Sequence, residues 1–305
     1  MKKRIITSAA LLVCMVLSLM APMAGVNAAA KEVIGPNMAV RKGNYIYYAK
    51  EMDGARTGII RYDISTKKKK EIVPYEGDNG YYNLNIKGNN LIYARDFFNG
   101  TAENCDYIYK ANRNTGKQTK LGLGTSPVVI GKYIYYLKVT KSNDGISDIT
   151  ITKNKVYRMT LDGKNKKKVG KINQNVYDGQ LYKYGNKVVY RNYNNRKFYD
   201  LNGKCIGDVG CSNFMSIYDD NTLKTGDYTY TFAGDEEKAT LVCQKGDKST
   251  EVFEAEGLRN VYVLGDYLLV TVNTVENEVD YKGYLYVIKN DGTEKKQLMS
   301  WNLGE

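Results

Sequence analysis

Gly131-Lys132-Tyr133-Ile134-Tyr135-Tyr136 is a turn glycine running straight into an apolar strand. The pattern returns as Gly43-Asn44-Tyr45-Ile46-Tyr47-Tyr48, Gly88-Asn89-Asn90-Leu91-Ile92-Tyr93, Gly185-Asn186-Lys187-Val188-Val189-Tyr190, Gly226-Asp227-Tyr228-Thr229-Tyr230-Thr231 and Gly265-Asp266-Tyr267-Leu268-Leu269-Val270. From glycine to glycine the six copies lie 45, 43, 54, 41 and 39 residues apart. Gly-Asn, Gly-Lys and Gly-Asp suit tight hairpin turns that need positive φ. A short strand precedes most of the turns, as in Asn83-Leu84-Asn85-Ile86, Pro127-Val128-Val129-Ile130 and Asn260-Val261-Tyr262-Val263.

Downstream of Gly131 the unit continues with a third strand, Val156-Tyr157-Arg158-Met159, and a polar turn, Asp162-Gly163-Lys164. The other units carry Thr115-Gly116-Lys117, Asn202-Gly203-Lys204, Gly246-Asp247-Lys248 and Asp291-Gly292-Thr293 there; the first has Ser65-Thr66-Lys67. A fourth, Lys-rich strand follows, as in Lys68-Lys69-Lys70-Glu71-Ile72-Val73 and Lys166-Lys167-Lys168-Val169. Four short strands in about 40–45 residues match one propeller blade. The second strand is apolar on consecutive residues, which predicts burial on both faces. The fifth copy is the weakest, because Thr229 and Thr231 dilute it. Lysine on an outermost strand guards an exposed edge against pairing with another chain; the same lysines also read as a polyanion-binding stripe.

The unit of Gly with Ile-Tyr-Tyr, then Tyr-Arg, then Asp-Gly-Lys resembles the propeller repeats of a domain of unknown function in exported proteins of Gram-positive bacteria. That domain is similar to the repeats of TolB-type and low-density-lipoprotein-receptor-type propellers. The resemblance covers about residues 36–300 and implies a fold, with no catalytic residues. The expectation is all-β: a six-bladed β-propeller of four-stranded antiparallel blades over residues 29–305, after an N-terminal signal peptide. Lys31-Glu32-Val33-Ile34 is a spare strand that would pair with the last blade and close the ring. Trp301 would pack that closing blade.

Residues 1–28 read as a secretory signal peptide: Lys2, Lys3 and Arg4, an apolar run from Ile5 to Ala21, then Val26-Asn27-Ala28 as a cleavage site. An uncleaved anchor is the alternative. Cleavage takes three positive charges from the net +12 and leaves +9. A secreted or wall-associated cationic protein is drawn to anionic surfaces, and a nucleic-acid role is not expected. Cys105, Cys205, Cys211 and Cys243 would remain, either paired outside the cytoplasm or as buried free thiols.

There is no histidine, which excludes Ser-His-Asp and Cys-His catalysis and histidine metal sites. No catalytic motif, metal motif or cofactor signature is found. Asn143-Asp144-Gly145 and Asp148 lack the spacing of a cation loop. The carboxylates of Asp219-Asp220, Asp235-Glu236-Glu237 and Glu276, Glu278 and Asp280 read as solvated charges. Length variation is assigned to one face, in the loops Lys50–Thr57, Arg95–Asp106, Lys138–Lys153, Arg191–Arg196, Phe232–Lys238 and Asn273–Lys282. There Arg95, Phe97 and Phe98, and separately Arg191, Tyr193 and Arg196, set cations beside aromatic rings and are the candidate ligand-binding residues. The function expected is an exported, monomeric, non-catalytic binding or scaffolding module at the cell envelope, for an anionic polymer, a glycan or a protein. The alternative is a carbohydrate-active hydrolase or lyase. It needs two carboxylates, or a Tyr with an Arg, converging on one central pocket.

Overall fold

A computed structural model of the chain describes residues 33–35, 37–49, 58–76, 80–95, 106–138, 155–172, 179–207, 211, 213–217, 222–234, 238–276 and 280–303. The chain divides into two units, Met1–Lys31 and Glu32–Glu305, and the described residues all belong to the second. They contain strands and turns and no helix, and thus none long and apolar enough to cross a membrane.

The strands form six antiparallel sheets, each built around a four-stranded meander of consecutive strands. The first comprises Ala39–Lys42, Tyr45–Ala49, Ile59–Asp63 and Lys69–Val73, and the second Tyr81–Lys87, Asn90–Arg95, Tyr107–Asn112 and Gln118–Leu123. The third comprises Thr125–Ile130, Tyr133–Leu137, Lys155–Thr160 and Lys167–Lys171, and the fourth Gly179–Tyr184, Lys187–Asn192, Phe198–Tyr199 and Cys205–Gly207. Thr222–Thr225, Tyr228–Gly234, Lys238–Lys245 and Lys248–Glu256 make the fifth. Leu258–Leu264, Tyr267–Glu276, Asp280–Lys289 and Lys296–Leu303 make the sixth. All six turn glycines that open the second strands lie at positive φ, between 53° and 74°. Where the first unit lacks a glycine in its outer turn, Lys67 takes the left-handed conformation at φ 58°.

Second strands are buried on both faces where neighbouring sheets sandwich them. Ile46 and Tyr48 join a cluster with the sixth sheet, while Tyr47 and Ala49 join one with the second. Likewise Leu91 and Tyr93 face the first sheet and Ile92 the third. Further clusters join the third sheet to the fourth and the fifth to the sixth. In the fifth sheet Thr229 and Thr231 are only half-buried, as their polarity predicts.

A device invisible in the sequence repeats in every unit. Each fourth strand carries a β-bulge against the third, and the bulged residue is always apolar: Ile72, Leu121, Val169, Ile206, Val252 and Leu298. A bulge bends a strand and frees a carbonyl from the ladder. Lys166 Nζ of the third sheet donates to Leu121 O of the second at 2.9 Å. Lys69 Nζ, which holds the same register in the first sheet, donates to Leu298 O of the sixth at 2.5 Å. The last sheet therefore meets the first through the contact used inside the chain. Arg41 adds to this joint, pairing with Asp266 and lying 4.9 Å from the Tyr267 ring centre.

Two extra strands depart from the repeat. Val33–Ile34 pairs with Gly179–Tyr184 of the fourth sheet, not with the last sheet as expected. The reason is that the inner edge of the sixth sheet is already covered: Phe214–Ser216 pairs there with Tyr262–Asn260. Val33 is instead 1% exposed, against Tyr182, Val189, Phe198 and Cys211. Two loops are also shorter than expected. The second and third strands of the sixth sheet stay paired out to Glu276 and Asp280, and those of the fifth to Gly234 and Ala239. β-formers such as Val270, Val272 and Val275 extend the hairpin. Cys205, Cys211 and Cys243 are free thiols; Cys105 lies outside the described residues.

Trp301, the chain's one tryptophan, is 7% exposed in the cluster shared by the first and last sheets. A β-carbon on Gly283 would come within 1.9 Å of its indole. Gly283→Ala is expected to displace the ring and cost about 1–3 kcal/mol. The check is urea denaturation followed by tryptophan emission, which should shift to the red in the folded variant. The second-strand tyrosines give a pH signature. Burial pushes the Tyr136 hydroxyl up to about 12, does the same to Tyr81 on the first strand of the second sheet, and raises Tyr48 and Tyr93 too. A raised acid binds its proton more tightly when folded, so stability is full below about pH 10 and falls above it. Each such tyrosine should remove about 1.4 kcal/mol per pH unit up to its folded value, measurable as falling urea midpoints.

Candidate functional site

The inner edges of the sheets are tied by one asparagine. Asn213 Oδ1 accepts from Gly35 N at 2.7 Å and from the Cys211 thiol at 3.1 Å. Its amide donates to Asn37 Oδ1. Its backbone carbonyl accepts from Val263 N of the sixth sheet at 2.9 Å. Asn37 O in turn accepts from Leu84 N of the second sheet at 2.7 Å. Gly35 is required where the chain passes this node: a β-carbon there would lie 2.7 Å from Tyr182 and 3.0 Å from Cys211 Sγ. Burial pushes the Cys211 thiol up, so it stays a proton donor.

Beside this node lies a cavity of about 290 Å³. The chain entering the first sheet supplies Asn37 and Met38, and the first strand of the second sheet supplies Tyr82 and Asn83. The fourth sheet contributes Gln180 and Tyr182 from its first strand, then Arg191 from the second and Tyr193 and Arg196 from the turn beyond. Phe214 and Tyr262 complete the wall from the sixth sheet. No carboxylate is among these lining residues, and two guanidinium groups are.

Local folding explains the two arginines. Arg191 ends a strand, is 7% exposed and stacks 5.7 Å from the Phe198 ring centre. Arg196 is exposed in a turn whose other bonds fix it: Asn195 N donates to Asn192 Oδ1, and Lys197 N donates to Asn195 Oδ1. Arg196 itself has φ 57°. Among the wall's amides, Nδ2 of Asn83, which is 5% exposed, and Oε1 of Gln180 are sealed from solvent without a hydrogen-bond partner. A buried amide left unpaired carries its full desolvation cost.

Of the six candidate residues, Arg191, Tyr193 and Arg196 meet in this cavity. Arg95 does not line it. It is buried, its guanidinium donates to Glu76 at 2.8 Å, and it sits 5.5 Å from the ring centres of both Tyr81 and Tyr109. Phe97 and Phe98 lie outside the described residues, as do the Asn143–Asp148 segment, Asp219-Asp220, Asp235-Glu236-Glu237 and Glu278. Sequence reasoning missed the inner-strand contribution. Its signal was a polar or sulfur side chain five residues before a turn glycine: Met38, Asn83 and Gln180. Among the described residues no group of three His, Cys, Asp or Glu is placed to hold a metal ion. A second cavity, of about 470 Å³, opens on the hairpin-turn side of the node, past Val40, Gly43, Leu264 and Gly265.

No protein-family model matches the chain, and no curated protein matches it. Among solved structures, TolB from Acinetobacter baumannii aligns over 86% of this chain and 64% of its own, with 11% identity and a TM-score of 0.40. The acylaminoacyl peptidase of Pyrococcus horikoshii aligns over 87% and 45%, with 12% identity and a TM-score of 0.39. An oligogalacturonate lyase aligns over 87% and 65%, with 9% identity and a TM-score of 0.30. The chain thus spans less than two thirds of the length of each of these proteins.

The two arginine sites separate stability from binding. Arg95→Met leaves Glu76 without its buried partner and strips the cation from two tyrosine rings, an expected loss of about 1–3 kcal/mol. Arg196→Asn keeps a residue suited to positive φ and should leave the unfolding midpoint unchanged. Urea denaturation of the two variants side by side checks both.

Proposed function

We propose that this protein is an exported, non-catalytic binding module of the cell envelope, with its ligand site in the cavity lined by Arg191, Tyr193 and Arg196. The six sheets are read as the blades of a six-bladed β-propeller, closed where the sixth sheet packs on the first, so that the cavity lies at the centre of the ring. Residues 1–28 are read as the signal for export.

The observation that carries the reading is convergence. Inner strands from four sheets and one turn bring aromatic rings, amides and two guanidinium groups to one concavity, with no carboxylate among the described residues of its wall. Acid–base hydrolysis of a glycoside needs two carboxyl groups flanking the bond, and the described residues of this wall supply neither. Binding needs only complementary surface and donors, which it has.

A second reading keeps one specific support. Tyr193 and Tyr182 share the cavity with Arg191 and Arg196, and a Tyr with an Arg is the pair a polysaccharide lyase would use. The two readings separate in one experiment. The full chain and its Tyr193→Ala and Arg196→Asn variants are screened by thermal shift against neutral glycans, acidic glycans, wall polymers and peptides, at low and high salt. A ligand bound only by the folded state raises the melting temperature. The binding reading expects a salt-resistant shift with one class, lost in both variants, and no change in the ligand after long incubation. Unsaturated products absorbing in the ultraviolet would replace it with the lyase reading. A shift that disappears in salt and survives both substitutions would mean that the net positive charge acts over the surface and the cavity is not the site.

A further inference from the structure

We propose that the outer edge of the third sheet is a second binding surface, for a linear polymer whose charge is carried by phosphodiester groups, laid along the lysines from Lys164 to Lys171. None of these residues lines the cavity, and the surface stands whether or not the cavity binds.

The chain keeps its positive charge on one side of the repeat. Residues 37–221, which hold the first four units, carry 32 lysines and arginines against 17 aspartates and glutamates, a net +15. Residues 222–305, the last two units, carry 9 against 15, a net −6. The excess peaks in the third unit, residues 125–178, with 11 cations and 4 acids. If each of those acids held one cation, 7 cations would be left over.

The fold collects that excess on one edge. Lys164, Lys166, Lys167, Lys168 and Lys171 are all exposed. They follow the outer turn and the fourth strand, a row of about 20 Å at the ordinary rise of a strand. The register sets more positive charge beside them, since Lys171 pairs with Lys155 and Lys167 with Arg158. Like charges directly opposite each other are destabilising, and a bound anion relieves that repulsion. The described residues of this sheet include one carboxylate, Asp162, and it is spent within its own turn, accepting from Thr160 Oγ1 at 2.5 Å and from Lys164 N at 3.1 Å. Cations here rest on rings instead: Arg158 lies 4.2 Å from the Tyr133 ring centre and Lys138 5.0 Å from that of Tyr157. In the last two units lysines have carboxylates, Lys238 with Glu254 and Lys289 with Asp291.

Guarding a sheet edge does not account for the row. The fourth strand of the fifth sheet is an outer edge too, and it mixes signs with Lys248, Glu251, Glu254 and Glu256. Edge protection needs charge, not charge of one sign.

The type of cation selects the partner. Of the third unit's 11 cations, 10 are lysine. Lysine is a compact point charge that meets a tetrahedral phosphate from any side, whereas planar carboxylates favour the arginine fork. A narrow row suits a chain. A bilayer surface favours apolar side chains beside the lysines, and among the described residues the exposed large hydrophobics are Tyr193 and Val275, neither in this sheet.

The test is calorimetric titration of the full chain, over a series of salt concentrations, with a poly(glycerol phosphate) oligomer, a polyglucuronate of equal charge and phosphatidylglycerol vesicles. The oligomer is expected to bind most tightly, its log K falling linearly with log salt at a slope of about −3.5 for five phosphates engaged. Replacing Lys167, Lys168 and Lys171 together by Gln should flatten that slope by about 2 and weaken low-salt binding about tenfold or more. Replacing Lys224, Lys245 and Lys248 by Gln removes the same charge from exposed lysines of the fifth sheet and should change neither. All six substitutions are at the surface and should keep the urea midpoint; if a triple variant does not fold, Lys168→Gln alone, flattening the slope by about 0.7, decides. Equal weakening by both triple variants would mean that net charge acts without a preferred surface, and would overturn the proposal. Polyglucuronate bound as tightly as the oligomer would overturn the choice of phosphate, and vesicles bound in preference to the oligomer would put a lipid surface in its place. No binding at low salt would overturn it outright. Oligomer binding lost in Arg196→Asn would move the polymer to the cavity, overturning this surface while supporting the cavity as a site; failure of every salt-resistant ligand would overturn the cavity reading and leave this one standing.

Discussion

A strand that is apolar on every residue has no face to offer water. That constraint governs this chain. In the second strand of the first sheet, Ile46 and Tyr48 need one neighbour and Tyr47 needs another. No sheet of this kind satisfies itself, so each must be covered on both sides by its like. A linear stack would leave two uncovered ends. Here the last sheet covers the first, and it does so by register as well as by hydrophobicity: the bulged Leu298 receives Lys69 as the bulged Leu121 receives Lys166. The apolar contribution is large, since fully burying one such side chain stabilises by about 1.5–3 kcal/mol. The lysine bonds are better understood as setting alignment, because exposed charged contacts contribute little.

The centre is held by different means. Inner strands have edges, and an uncovered edge is a row of unpaired backbone groups. Val33–Ile34 covers the fourth sheet and Phe214–Ser216 covers the sixth, with Cys211 bridging back to Val33. Asn213 ties these strands to the first sheet through Asn37, and Asn37 ties on to the second through Leu84. A buried amide with all its partners present fixes one arrangement; with one missing it costs more than it gives. The node also lies between the two cavities, because Asn37 borders both.

The repeat, the turn glycines, the order of the strands and the packing of Trp301 were legible in the sequence because each depends on local periodicity. The bulges were not. They fall on residues as ordinary as Ile72 and Val169, and only the pairing register exposes them. The destination of Val33–Ile34 was not legible either, since it depends on which inner edge a strand more than 170 residues later has already taken. The candidate site was half legible. A cation beside aromatics in a loop found Arg191, Tyr193 and Arg196, but it selected Arg95 on the same grounds. The inner-strand amides carried only the weak signal of a polar residue in an apolar run.

Arg95 and Arg191 meet different fates because they fall on opposite sides of their strands. Arg95 stands seven residues after its turn glycine and Arg191 six. Side chains alternate along a strand, so Arg95 shares the side of Tyr93, which faces the preceding sheet, and is sealed among Tyr81, Tyr109 and Glu76. Arg191 is out of step with Tyr190 and shares the side of Val189, which faces away from the third sheet. At five of the six joints, counting sixth to first, an apolar cluster fills the space between sheets. At the fourth-to-fifth joint the cluster on Val189 draws instead on Val33, Cys211 and Phe214, and no apolar cluster among the described residues reaches from the fourth sheet to the fifth. The fifth sheet meets that joint with the threonine-diluted strand of Thr229 and Thr231. The sandwiching that governs the rest of the fold is thus interrupted at one place. Arg191 is as buried as Arg95, but it stands on the face that no apolar cluster among the described residues joins to the next sheet, and it lines the cavity.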